Sequence, residues 1–210
     1  MEEMTAIAPA PAEAPSSPVR KIPKALIYET VDGKPIYYKG YRDYLNGSKT
    51  IEEIMADSTL QSWLKAQLTI LLGNFFAGKN FDITTGEIGL LLGKGRSRGA
   101  DISIFRDENL LLNQHYSKTA PEVVIEIDVQ ADLEEGSESE LDYVLSKVDD
   151  YFRFGVKQVI WVFSASRKVM NCKPGEPWLT TGWDTTIETV EGASFNIGQI
   201  MESRKTRAAA

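Results

Sequence analysis

The segment from residue 121 to residue 164 constrains the fold most, because it holds two β-forming runs separated by one helical pattern. The first run is PEVVIEIDV (121–129). The second, KQVIWVFS (157–164), is apolar on both faces, as a strand covered on both sides would be. Between them the helical run LDYVLSKVDDYFRF meets Gly155, a common helix terminator. A crossover of this length predicts parallel neighbouring strands with a right-handed connection.

Patterns on either side of this segment predict the rest of a mixed sheet. The run LIYETVDGKPIYYKG (26–40) contains two β-rich stretches around Asp32-Gly33, a hairpin signal. After Ser58, a suitable N-cap, apolar residues recur at helical spacing up to Phe75. Further β-rich runs are FDITT (81–85), EIGLLLG (87–93), ADISIFR (100–106), KVMNC, DTTIETV and SFNIG, and TIEEIM (50–55) fits a short helix or turn. The order predicts an α/β (α+β) fold: a mixed β-sheet flanked by helices, with an N-terminal β-hairpin.

The length of 210 residues fits one domain better than two. We expect a single domain over residues 25–203. Residues 1–24 are rich in Ala, Pro and Ser and predict a disordered tail. Residues 204–210, RKTRAAA, predict a frayed C-terminus.

The composition excludes several kinds of site and location. The single cysteine, Cys172, cannot form an internal disulfide, and one histidine, His115, leaves a histidine-rich zinc site short of ligands. The run GRSRG (95–99) has the spacing G-x-S-x-G, but it lies in a basic loop followed by a β-rich run and lacks the helix that a nucleophile elbow requires. No run reaches the roughly 18 apolar residues of a membrane helix, and the first residues are acidic where a secretory signal is basic. We expect a cytoplasmic protein without a membrane partner, whose chemistry uses carboxylates, lysines and hydroxyls.

Two of the strand patterns combine an apolar face with carboxylates opposite. Asp101 lies opposite Ile102 and Ile104 in one run, and Glu126 and Asp128 share a face of the other. If these strands pair, Asp101 and Glu126 could converge within about 5 Å. Two acids at that distance repel unless they share a cation or a proton, and Mg²⁺ favours oxygen ligands. The alternative is an ordinary solvated sheet face.

Lys147 lies at the edge of the apolar stripe of the helix that follows the second of these strands, beside Tyr143, Tyr151 and Phe154. From there its ammonium could reach toward the carboxylates while its stem packs on aromatic rings. Such a lysine can position an attacking water or stabilise charge on a phosphoryl oxygen. The alternative is a surface lysine whose stem covers apolar neighbours.

From about Leu26 to Met170 the chain resembles the Uma-two-type family of restriction-endonuclease-like proteins, within the PD-(D/E)XK nuclease superfamily. Five runs carry the resemblance in the family's order: YETVDG (28–33), the helix from Leu60, RGADISIF (98–105), PEVVIEIDV (121–129) and KVDDYFRFGVKQVIWV (147–162). The resemblance implies the restriction-endonuclease-like fold and metal-dependent cleavage of nucleic acid.

The resemblance also assigns residues. Asp101 matches the aspartate of the first half-motif, Glu126 the acid of the second, and Lys147 the lysine that this family carries on the following helix. Tyr151 matches a tyrosine one turn later, more in keeping with packing or orientation than with catalysis. The implied metal ligands are Asp101, Glu126 and Asp128, with the Ile127 carbonyl.

The chain departs from the family at three points. Ala100 replaces the usual proline, and Asp128 stands at the strand position of the usual lysine, as an extra ligand or as a reason why metal binds without cleavage. The first long helix has no acid between Ser58 and Phe76. Gln61 could substitute weakly for that acid, and Glu87 could supply a carboxylate from the neighbouring strand.

The loop GKGRSRG (93–99) offers Lys94, Arg96 and Arg98 for phosphate-backbone contacts, although a solvated hairpin tip is equally ordinary. The formal net charge of −7 opposes loose, nonspecific nucleic-acid binding. It is compatible with a nuclease, since a carboxylate cluster is acidic until a cation fills it.

Together these features predict a Mg²⁺- (or Mn²⁺-) dependent endonuclease acting on DNA, most simply duplex DNA, and by analogy a homodimer. Two alternatives stay open. One is a catalytically inactive nuclease fold used for binding or assembly, and the other is a metal-dependent phosphodiesterase acting on RNA or a small phosphoester.

Overall fold

The computed structural model describes residues 22–129, 131–133 and 139–208. Nearly all of the tail predicted over 1–24, and the acids Glu134, Glu135 and Glu138, lie outside the described residues. The helices are α1 (Tyr41–Leu45), α2 (Ile51–Met55), α3 (Thr59–Phe76), α4 (Glu140–Phe154) and α5 (Ile197–Ala208). The strands are β1 (Ile27–Val31), β2 (Lys34–Tyr37), β3 (Phe81–Gly93), β4 (Arg96–Arg106), β5 (Val123–Ile127), β6 (Gln158–Phe163), β7 (Lys168–Cys172), β8 (Leu179–Gly182), β9 (Ile187–Glu188) and β10 (Ser194–Phe195).

The main sheet is mixed and has the order β2-β1-β4-β5-β6-β7-β8, with β3 pairing antiparallel to β4 along its length. The pair β5 and β6 is parallel, as the crossover predicts, and its neighbours β4 and β7 are antiparallel to it. The hairpin of β1 and β2 turns at Asp32 and Gly33, both with positive φ, which this tight turn requires. The fold class is therefore confirmed.

Helices cover both faces of the sheet. On one face, α3 packs Leu64, Leu68 and Leu72 against apolar residues of β4, β5 and β6. On the other face, α4 packs Val144, Val148 and other buried residues against Val124 of β5. Burying β6 from both sides explains why its sequence is apolar on both faces.

Local capping sets the ends of both long helices. The hydroxyl of Ser58 accepts a hydrogen bond from the Gln61 N–H while the Gln61 side chain accepts one from the Ser58 N–H. Ser139 and Asp142 form the same reciprocal arrangement at the start of α4, and Gly155 ends that helix with φ 120°. Both predicted helices thus begin where capping residues satisfy free backbone groups, and α4 also ends at such a residue.

Four elements differ from the sequence prediction. The runs 81–85 and 87–93 form one strand, β3, with an irregularity in its pairing between Thr85 and Ile88. The basic loop 93–99 is mostly strand, since β4 starts at Arg96. β5 ends at Ile127, before Asp128. The helix α5 extends through Arg204 to Ala208, where the composition predicts fraying.

None of the helices that the structure describes has both the length and the apolar character needed to cross a bilayer.

Candidate active site

Asp101 on β4 and Glu126 on β5 lie opposite each other at the centre of the sheet. The antiparallel register pairs Ile104 with Val123, Ser103 with Val124 and Ile102 with Ile125, and its next step sets Asp101 beside Glu126. Both side chains are buried. The Ile127 N–H donates to Oδ2 of Asp101 at 2.7 Å, which holds that carboxylate against the end of β5.

Glu126 lies in a closed environment. Its Oε1 accepts a hydrogen bond from the Tyr151 hydroxyl and lies 3.2 Å from Nζ of Lys147. Burial raises the pKa of Glu126, and after the lowering effect of Lys147 the charge of Asp101 raises it again, to about 7. The carboxyl can therefore hold or release a proton near neutral pH.

Lys147 on α4 reaches Glu126 from below the sheet and also lies 2.9 Å from Oε1 of Glu29 on β1. Burial lowers the pKa of Lys147, but Glu126 and Glu29 raise it well above the usual value, so the amine is protonated. Its ammonium lies over the rings of Tyr28, Tyr143, Tyr151 and Trp161. Lys147 thus lies with its stem among aromatic rings and its charge at Glu126, and its catalytic role stays a prediction.

A second lysine enters the site from the opposite face. Nζ of Lys65 on α3 lies 2.7 Å from Oδ1 of Asp101 and also contacts the carboxylate of Asp57, just before the helix. Its side chain is 8% exposed. Each of the two central acids thus has its own lysine.

Gln61 and Glu87 complete the surroundings. Nε2 of Gln61 donates to the Ile127 carbonyl at 3.1 Å, so Gln61 reaches the site while it caps α3. Glu87 sits at the irregularity of β3 with φ 61° and accepts a hydrogen bond from Tyr38. Burial raises the pKa of Glu87, and Lys65 and Asp101 are the charges that act on it most strongly. The structure therefore brings Gln61 into contact with the site, and it places Glu87 at the β3 irregularity opposite the part of β4 that holds Asp101.

The structure does not bring Asp128 to the site. The chain leaves the strand at Ile127, and Asp128 has φ 61°, so the alternation that predicts a shared face with Glu126 stops one residue earlier. Its carboxylate accepts hydrogen bonds from the N–H and the hydroxyl of Ser164, both at 2.6 Å. Asp128 therefore connects the C-terminal ends of β5 and β6, and it does not lie with Asp101 and Glu126 as the predicted third metal ligand.

The predicted phosphate contact of Arg98 is wrong for this structure. Arg98 is buried and its guanidinium pairs with Glu29 and Asp150, each at 2.7 Å. Arg96 is partly exposed and pairs with Asp150 and Asp32. The cause is that both arginines lie on β4, under α4, where a buried charge requires a partner. Lys94 lies exposed in the turn before β4, and its phosphate contact stays a prediction.

Glu29, Lys65 and Asp150 are buried charges that the sequence patterns do not single out. Glu29 lies within YETVDG, where a polar residue in the alternating strand pattern looks like a solvent-facing position of the hairpin. Lys65 falls four residues after Gln61, on the same side of α3, which is the one local signal that could have found it. Their partners come from distant elements, so no local pattern reveals the pairing.

A family model named Uma2 and described as "Putative restriction endonuclease" matches residues 43–197, which is most of the chain. The chain belongs to the Uma2 family. This confirms the resemblance that the ordered runs indicate. A solved structure from Anabaena variabilis, described as a putative nuclease belonging to DUF820, superposes with a TM-score of 0.62. At 14% identity over 83% of this chain and 89% of that one, this likeness shows the shared fold. No functionally curated protein matches the sequence.

The donors at this Uma2 site have the chemistry that Mg²⁺ prefers: two carboxylates and the Ile127 carbonyl, all oxygen. Their present partners are Lys65 at Asp101, Lys147 at Glu126 and Gln61 at the carbonyl. Within the described ranges, no group of three or more histidine, cysteine and acidic side chains is arranged to hold a metal ion. A divalent ion thus fits by donor chemistry, on the condition that Lys65 leaves Asp101.

Proposed function

We propose that this chain is a Mg²⁺-dependent endonuclease that hydrolyses phosphodiester bonds of DNA. The observation that carries the proposal is the Lys147 ammonium 3.2 Å from Glu126, with Asp101 beside it on the adjacent strand. Two acids and an amine around one point are the groups that metal-assisted phosphodiester hydrolysis uses. Membership of the Uma2 family supports the nuclease assignment.

In this proposal Asp101, Glu126 and the Ile127 carbonyl would hold the ion, which would supply a Lewis acid for the scissile phosphate and for a bound water. Lys147 orients the attacking water and stabilises charge on a phosphoryl oxygen. Tyr151 fixes the Glu126 carboxylate by its hydrogen bond. We further propose a homodimer on duplex DNA, since two copies match the two strands.

One observation favours a second candidate, a catalytically inactive nuclease fold that serves binding or assembly. Asp101 and Glu126 are 5% and 2% exposed, and each is already neutralised by a lysine. A phosphate can reach them only after the site opens. The net charge of −7 adds to this, since it weakens attraction to a polyanion.

Plasmid cleavage in Mg²⁺ and in Mn²⁺ separates the two candidates. Glu126→Gln and Lys147→Met remove one group each, and we expect each to lower cleavage by about 100-fold or more. The matched controls are Glu202→Gln on α5 and the exposed Lys157→Met, which should retain full activity. Cleavage that survives in both site variants would reject the nuclease proposal. So would a wild-type protein that cleaves the plasmid neither in Mg²⁺ nor in Mn²⁺.

A further inference from the structure

We propose that Lys65 is an internal counter-cation that occupies Asp101 until a divalent metal ion displaces it, so that Lys65 sets the metal concentration at which the site fills. The inference rests on the proposed metal-dependent function, because it concerns how that site is loaded. It assigns a role to a buried lysine on α3.

The contacts of Lys65 place one ammonium between two carboxylates. Nζ lies 2.7 Å from Oδ1 of Asp101 and 2.9 and 2.8 Å from Oδ1 and Oδ2 of Asp57. An ammonium has three N–H donors, so these three oxygens satisfy it completely. Burial lowers the pKa of Lys65, but Asp101 and Asp57 raise it above the usual value, so the charge is retained.

The two oxygens of Asp101 are not equivalent. Oδ2 accepts the Ile127 N–H and is held by the end of β5, whereas Oδ1 faces Lys65. Oδ1 is therefore the oxygen of Asp101 that the backbone of β5 leaves to a cation. Two cations cannot share that oxygen in a buried site, since their repulsion is large at low dielectric. Metal binding at Oδ1 therefore competes with the contact between Lys65 and Asp101.

Asp57 remains an ion-pair partner for the ammonium of Lys65 after it leaves Asp101. Both of its oxygens already contact Lys65, so a small rotation of the lysine stem away from Asp101 keeps two of the three contacts. The helix itself stays in place during this rotation, because Leu64 and Leu68, which flank Lys65, are packed in the core. Asp57 is 24% exposed at its side chain, so the released charge lies nearer to solvent.

Direct metal binding to the full chain, without nucleic acid, tests this role. Free Mn²⁺ is measured by electron paramagnetic resonance for the wild type and for Lys65→Met, Lys65→Arg and the control Lys79→Met. We expect Lys65→Met to lower the Kd for Mn²⁺ by about ten-fold or more, because the competing charge is gone. Lys65→Arg keeps the charge and should stay near the wild-type Kd. Lys79→Met removes an exposed lysine just after the same helix and should not change it.

Asp57→Asn provides an independent arm that does not alter Lys65. Without the second carboxylate the ammonium is confined to Asp101, so we expect the Kd for Mn²⁺ to rise about three-fold or more. The same change in the Lys65→Met background should have a clearly smaller effect. If Lys65→Met fails to give a native circular dichroism spectrum, the Asp57→Asn result decides.

An unchanged or higher Kd in folded Lys65→Met, no Mn²⁺ binding by either protein, or an unchanged Kd in Asp57→Asn overturns the role of Lys65. The outcome is separate from that for nuclease activity. A ten-fold tighter Kd without DNA cleavage supports the role of Lys65 and rejects the nuclease. DNA cleavage by the wild type, together with an unaltered Kd for Mn²⁺ in Lys65→Met, supports the nuclease and rejects the role of Lys65.

Discussion

The Lys147 ammonium on the crossover helix lies 2.9 Å from the Glu29 carboxylate on the N-terminal hairpin. The same carboxylate accepts hydrogen bonds from Arg98 at 2.7 Å, from the Tyr143 hydroxyl at 2.8 Å and from the Gly99 N–H at 3.1 Å. Glu29 is fully enclosed by these donors. Through Glu29 the hairpin thus positions Lys147, the ion-pair partner of Glu126, and is therefore part of the site.

Replacing Glu29 with Gln should destabilise the protein strongly. The variant keeps the size of the side chain but leaves Lys147 and Arg98 with less negative charge around them in a buried position. Removing one partner of a buried ion pair costs about 3–5 kcal/mol. Urea denaturation measures the free energy of unfolding, with the exposed Glu52→Gln as the control. A loss below about 1 kcal/mol would show that the charge of Glu29 is not needed.

The stability that Glu29 contributes should depend on pH. Burial raises the pKa of Glu29, but Lys147 and Arg98 outweigh burial, and the pKa lies below its usual value of 4.5. The folded state therefore binds fewer protons than the unfolded state, and stability rises with pH. The difference in unfolding free energy between wild type and Glu29→Gln should be full above pH 4.5 and shrink as the pH falls below it. A difference that grows on acidification would contradict this sign.

Tyr151→Phe should weaken both stability and any DNA cleavage while leaving the packing intact. The hydroxyl contacts the Glu126 carboxylate and lies 2.7 Å from the Gly99 carbonyl, both in the interior. Losing a buried hydrogen bond to a charged group costs about 1–3 kcal/mol. We expect a cleavage rate about ten-fold lower, because Glu126 loses the group that orients it. Tyr44→Phe on α1 is the control, and equal effects of the two variants would remove the special role of Tyr151.

Asp128→Ala should lower stability without changing the affinity for Mn²⁺. The variant removes the acceptor of the Ser164 N–H and hydroxyl, which costs about 1–3 kcal/mol. It also places alanine at φ 61°, where asparagine is tolerated better. Asp128→Asn should therefore be milder in thermal denaturation. A Kd for Mn²⁺ that rises several-fold in both variants would restore Asp128 as a metal ligand.

Several elements follow from local sequence, because the forces that set them act within a few residues. The hairpin depends on Asp32 and Gly33, which tolerate positive φ. The helix α3 depends on its apolar periodicity and on the cap at Ser58, and the parallel pair depends on two apolar runs separated by a helix of crossover length. The C-terminal part of α5 is different, since RKTRA (204–208) carries no apolar periodicity and only the structure shows it as helix.

By itself, the sequence determined the fold class, because strand alternation and helical periodicity repeat along the chain. It predicted that Asp101 and Glu126 face each other if their strands pair, and that Lys147 could reach them, and the structure supplied that pairing and that contact. Only the tertiary structure decided which charges meet: Glu29 with Lys147, Lys65 with Asp101, and Arg98 with Asp150. It also decided that Asp128 turns away, through a positive φ immediately after β5. The physical reason is that a buried charge must find an opposite charge wherever the fold supplies one, and the partners are far apart in the chain.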